Sequence, residues 1–147
     1  MKNFEDYFLY THAMNERCID AVSRHEEAMP DRIHALLCHI LNAHHIWNAR
    51  IDGSEPEYQP WEPHLPETYP DLNNAALLRT RVILESDDPI RTVRYANTVG
   101  QTFTSSVGDI LFHVVNHGTH HRAQIASLLR AAGFSPPSMD WIAYKRR

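Results

Sequence analysis

Four histidines fall within FHVVNHGTHHRAQIASLLR, residues 112–130: His113, His117, His120 and His121. His117 and His121 are four apart, so on a helix their imidazoles stack one turn above the other on one face. At roughly 100° per residue, Val107, Ile110, Val114, Ile125 and Leu128 make an apolar stripe. His121 falls in the middle of that stripe and His117 near its edge, while His113 and His120 lie on the polar flank. Imidazoles turned toward a bundle interior need partners, because an unpaired buried polar group costs about 1–3 kcal/mol. One metal ion would satisfy both rings. Neither histidine pair encloses the glutamate of the zincin pattern. No helix carries the Glu-x-x-His of a ferritin-like di-metal centre. A third ligand must therefore come from another helix.

The segment LLCHILNAHHIWNARIDG, residues 36–53, and the residues just before it offer His34, His39, His44 and His45. On the wheel His39 lies just off the stripe of Ile33, Leu36, Ile40, Ala43, Trp47 and Ile51. His44 flanks the opposite edge, and His34 and His45 point outward. Periodicity does not choose between His39 and His44. Three imidazoles leave one or more positions of an ion open, as in reactive rather than purely structural sites. A thiol or water bound there would lose its proton nearer neutral pH. Arg122 is expected to pair with an acid and Gln124 to bond a neighbouring helix, although Gln124 also faces the histidines and could orient them. Trp47, Trp61 and Trp141 read as core and loop anchors. No nucleophile, acid and base fall into a recognisable catalytic spacing, so no catalytic residue is singled out.

The elements that must carry these rings are mostly helical. A first helix is expected from Phe4 to about Ser23, and a second from Asp31 to Ile51, stopped by Gly53. Pro56, Pro60, Pro63, Pro66 and Pro70 exclude a continuous helix over residues 52–70. Asp71 is a fair N-cap for a third helix to about Glu85. Thr92–Ala96 and Gln101–Thr104 around Gly100 suggest a short hairpin. Ser105 or Ser106 caps the long fourth helix, which ends before Gly133. The expected architecture is all-α: a four-helix up-down bundle with a long crossover loop and a minor β-hairpin before the last long helix.

The chain's 147 residues suit a single domain. A formal net charge of −4 argues against a general nucleic-acid partner. The only basic cluster, Lys145-Arg146-Arg147, reads as a solvated tail. Cys18 and Cys38 are too few for a disulfide scaffold and read as buried thiols. The acidic start has no apolar leader core, and no apolar run reaches the roughly 18 residues of a membrane span. A cytoplasmic protein without a membrane partner is expected.

The residues DILFHVVNHGTHHRAQIASLLRAAGFSPPSMDWIAY, 109–144, resemble the long last helix and Pro-Pro-x-x-Asp tail of the DinB-like metal-binding four-helix bundle proteins. Residues 36–53 are similar to that family's second helix, with His, Trp and Arg in sequence, and FLYTHAMNERCIDAV, 8–22, to its first. The resemblance implies one divalent transition metal ion held by His39, His117 and His121, and so prefers His39 over His44. It also makes Asn15 a recurrent polar position, sets His120 where an aromatic residue is frequent, and puts Ala123 where glycine is usual. Imidazoles alone suit Zn²⁺, Ni²⁺, Fe²⁺ and Cu²⁺ alike; the expectation is Zn²⁺ or Ni²⁺, with Fe²⁺ or Mn²⁺ next.

Some relatives are thiol-dependent, which implies transfer of a low-molecular-weight thiol to a small electrophile. Hydrolysis at the metal and a non-enzymatic, stress-related metal-stabilised bundle are the rivals. A fourth protein ligand, His113 or His44, would favour the structural role. The resemblance further implies a homodimer.

Overall fold

The computed structural model describes residues 2–97 and 99–146. Its helices are α1 (Lys2–Ser23), α2 (Asp31–Asp52), α3 (Tyr69–Ser86), α4 (Val107–Ala131) and the short α5 (Trp141–Lys145). One antiparallel hairpin, β1 (Thr92–Ala96) and β2 (Thr102–Ser106), precedes α4. Arg147, the end of the basic cluster, lies outside the described residues; Lys145 pairs with Asp6 at 3.0 Å.

Local chemistry sets most of the boundaries. Asp31 stands in the first turn of α2 next to the positive end of the helix dipole. Gly53, at φ 77°, closes that helix in the left-handed conformation, its N–H bonded to the Ala49 carbonyl. The Ser106 hydroxyl accepts from the Asp109 N–H and caps α4. Gly133 follows the other end at φ 85°. Helix α3 starts earlier than the Asp71 cap expected from sequence. A 3₁₀ turn at Pro66–Thr68 runs straight into it, and Pro70 has no N–H to lose in the first turn. Asp71 is inside that turn. Strand β2 reaches Ser106, two residues further than expected, so one residue ends the strand and caps the helix.

Asn15 of α1 bonds Asn73 of α3, and α2 meets α3 through His34 to Tyr69 and Asn48 to Thr80. His39 of α2 meets His117 of α4, and Asn15 meets Arg122. Around the bundle the order is therefore α1, α3, α2, α4. The rising residue numbers of the α2–α3 pairs show these two helices to be parallel, where a simple up-down bundle would alternate. Residues 53–68 must then run back along the whole of α2. A proline-rich chain suits this, since it stays extended and cannot coil into a helix.

That return is pinned to α2 along its path. The Glu57 N–H donates to His45 Nε2, the Glu62 carbonyl accepts from Asn42, and the His64 ring contacts Asn42 at 2.5 Å. Two apolar clusters fill the bundle, one around Val22, Ile33, Leu37 and Leu129, the other around Phe8, Ile51, Leu111 and Val93. Between them runs a polar belt of Asn15, Asn73, Arg122, His44, Asn48 and Thr80, each buried. Cys18 and Cys38 are buried free thiols, as expected. Among the described residues no helix is long and apolar enough to cross a membrane.

Candidate metal centre

At the level of the polar belt, on the seam between α2 and α4, three imidazoles converge. His117 Nε2 lies 3.1 Å from His39 Nε2 and 3.1 Å from His121 Nε2. The three ligand atoms are all within 4.8 Å of one another. Two nitrogens about 2.0–2.1 Å from a shared Zn²⁺ stand ~3.0–3.4 Å apart, depending on the angle between them. Both contacts match that spacing.

The outer hydrogen bonds fix which nitrogen faces inward. His39 Nδ1–H donates to the Pro60 carbonyl at 2.7 Å, and His121 Nδ1–H to Gln124 Oε1 at 2.8 Å. With the proton held on Nδ1, the Nε2 of each ring presents a lone pair to the centre. The His117 Nε2–H could satisfy only one of them. Two lone pairs meeting at most one proton is a donor deficit that a cation resolves. The donor set and spacing thus fit one divalent transition metal ion, with His39, His117 and His121 as the residues that could hold it.

Burial also favours the neutral, ligating form. Desolvation pushes the His117 pKa down to about 3, helped by the neighbouring His121 and His39 rings. Desolvation lowers His39 as well, against the opposing pull of the Pro60 carbonyl; His121 and the Arg32 guanidinium add to the lowering. Trp61 lies flat on the His39 ring, with centroids 3.8 Å apart and planes 2° from parallel, and Arg32 lies 5.2 Å from the indole. Half of Trp61 is exposed (50%), so the indole forms one wall of the centre and faces solvent with its other side.

A model of the DinB family matches residues 20–147. The chain belongs to the DinB family. Over 40 residues it is 45% identical to Protein DinB of Bacillus subtilis (strain 168), a stretch covering 27% of this chain and 23% of that protein. The match thus spans less than a quarter of that relative's length.

Within this DinB-family bundle, several expectations from the sequence need correction. His121 is half-buried at the margin of α4, and the middle of the core-facing stripe belongs to Gly118 and Arg122. The buried face is rotated by roughly 50° from the wheel's estimate. A glycine and an arginine read as surface there, so the wheel left them out. Arg122, 1% exposed, pairs with no acid among the described residues: it donates to Asn15 Oδ1 at 2.9 Å and to Thr119 Oγ1 at 3.1 Å, and lies 5.7 Å from the Tyr10 ring centroid. Gly118 makes room for it, because a Cβ there would meet the guanidinium at 2.9 Å. Gln124 bonds His121 and approaches His120 at 3.3 Å, both on its own helix, and among the described residues makes no bond to a neighbouring one.

His44 is buried away from the centre against Phe8 and Thr80. His113 packs on Trp47 at 5.0 Å outside the cluster. His34 and His45 are half-buried and bonded, to Tyr69 and to the Glu57 N–H. Ala123 lies exposed on α4. Asn15, the recurrent polar position, is buried between helices and bonded to Asn73 and Arg122. Trp61 anchors the crossover as its sequence suggested, here by stacking on His39, whereas the supporting Pro60 carbonyl is a backbone acceptor that residue types do not signal.

Proposed function

We propose that His39, His117 and His121 hold one divalent transition metal ion and that the protein transfers a low-molecular-weight thiol to a small electrophile. The observation that carries this reading is the convergence of three Nε2 atoms, two of them oriented by Nδ1 partners. An ion bound there would draw the pKa of an incoming thiol toward neutrality and present the thiolate. The residues supply the rest. Pro60 and Gln124 keep His39 and His121 in the ligating tautomer, and the lowered pKa values of His39 and His117 keep that second pair neutral at cellular pH. Trp61 limits approach to the exposed side.

A thiol brings its own nucleophile and needs no general base. Hydrolysis gains most from one, and among the described residues no aspartate or glutamate joins the cluster. A purely structural ion is best served by a fourth protein ligand, and neither His44 nor His113 joins the three. Zn²⁺ or Ni²⁺ suits the imidazole set, and Fe²⁺ or Mn²⁺ follows. Homodimer formation belongs to the same proposal.

The test is coupling of a cellular thiol to a chloro-dinitro-aromatic probe by untagged protein purified without chelators, with metal content measured in parallel. One ion per chain with thiol-dependent turnover, both abolished by His121→Ala, is the expected result. Metal-replete protein without thiol turnover would leave the structural or hydrolytic role. Protein with no affinity for any of these ions would end the reading.

A further inference from the structure

A line of rings leads from the histidine cluster to a guanidinium without an acid. His39 and Arg50 are eleven residues apart on α2, three turns and roughly 20° of rotation, so they share one face of the helix. Helical side chains lean toward the N-terminus. Arg50 does so, with its guanidinium carbon 4.3 Å from the Trp47 centroid and 5.1 Å from that of Tyr95. Trp47 packs at 5.0 Å on His113, which packs at 5.5 Å on His117. On the other side, Pro60, whose carbonyl holds His39, lines a cleft of about 180 Å³ with Arg50, Tyr58 and the hairpin residues Ala96 and Asn97. Pro60 thus borders both the cleft and His39.

Arg50 is half-buried, and burial lowers its pKa from the ordinary value. Among the described residues its one hydrogen bond goes to the Ala96 carbonyl, at 3.1 Å. Among the described residues no carboxylate pairs with it. Asp52, two residues on, is engaged by Arg79 at 2.6 Å. Glu55 stands exposed on the rim of the same cleft and forms no ion pair with it. Aromatic contacts occupy the faces of a guanidinium and leave its in-plane N–H donors for an acceptor. A clamp fastening the hairpin to α2 needs one of five donors and leaves the others available to a ligand.

We infer that Arg50 anchors a carboxylate carried by the thiol substrate, which lies in this cleft with its sulfur at the His39–His117–His121 centre. The inference rests on the thiol reading above and narrows its substrate class to an extended thiol acid. The cleft has room for about six waters at ~30 Å³ each, which suits a slender arm.

Co²⁺-loaded protein supplies a readout independent of turnover, because thiolate bound to Co²⁺ gives a near-ultraviolet charge-transfer band. Matched ω-mercapto acids and ω-mercapto alcohols of three, six and eight carbons are titrated against that band. A six- or eight-carbon acid should bind about tenfold tighter than its alcohol, the scale of one charge-assisted hydrogen bond. The three-carbon pair, too short to reach, should not differ. Arg50→Gln should bring the acid and the alcohol of each length to the same affinity, and Arg50→Lys should keep part of the difference; melting temperatures check that both variants are folded. Acids and alcohols binding equally at every length would overturn the carboxylate anchor while the thiol reading stands. Retention of the full preference in folded Arg50→Gln would overturn it too. No thiol band of any kind in the Co²⁺ protein would overturn both readings.

Discussion

His39 and His44 stand five residues apart on one helix, and each has a ring nitrogen 2.7 Å from a protein oxygen. What separates them is which nitrogen that is. His39 spends Nδ1 on the Pro60 carbonyl and leaves Nε2 facing two more imidazoles. His44 spends Nε2 on the Thr80 hydroxyl and leaves Nδ1 buried with no partner. The first ring is half-buried beside a solvent-facing indole; the second is 5% exposed and packed on Phe8. A buried histidine is therefore not yet a ligand. Convergence of lone pairs makes a candidate site, and burial without convergence makes a neutral core residue.

Substitution on each side should separate the two roles. His39→Ala should lower affinity for Zn²⁺ by more than about a hundredfold, since even the outer partners of metal-bound histidines are worth 10–100-fold. Equilibrium dialysis with elemental analysis measures this, and unchanged binding would erase the contrast. His44→Ala should keep full metal stoichiometry while costing about 2–4 kcal/mol in urea unfolding, through a cavity and the lost Thr80 bond. His44→Leu should cost much less, because it fills the space and Thr80 still reaches Asn48 and the Ala76 carbonyl.

Acid should sharpen the same comparison. Burial holds the His44 pKa at about 3, and neighbouring charges add to the lowering; an exposed histidine titrates near 6.5. Between those values the unfolded chain takes up a proton that the native ring refuses. The contribution is thus complete above pH ~6.5 and is lost as pH falls toward 3. Near pH 5 the loss from His44 is about 2 kcal/mol. His117 acts in the same direction, reduced by solvent because that ring is half-exposed. Unfolding of metal-free protein from pH 7 to 4.5 should follow this slope, and His44→Leu should flatten it. The smallest effect is expected at the outer partner: Gln124→Leu should weaken metal binding about tenfold, with unfolding of the metal-free protein nearly unchanged.

The residues that carried most of the reading are those whose signal is local. The four-residue step from His117 to His121, the Ser106 cap and the stop at Gly53 all depend on a few neighbours in the chain. The centre of the α4 stripe was misplaced because an arginine and a glycine occupy it. Their burial depends on Asn15 and Tyr10, more than a hundred residues away. Asp71 lost its place as a cap to a 3₁₀ turn that runs into α3. Gln124 faced the histidines as its spacing allowed, yet whether it bonded its own helix or another depended on packing.

The Ser106 cap, the Gly53 stop and the spacing of two imidazoles follow from short-range sterics and hydrogen bonding, so the amino-acid order alone establishes them. The choice of His39 over His44 as the third ring rests on how α2 is rotated against α4. The orientation of that ring rests on a crossover segment that must travel back along α2 because α2 and α3 are parallel. Those are consequences of burying two apolar clusters around a polar belt, a balance summed over the whole bundle that no local pattern encodes.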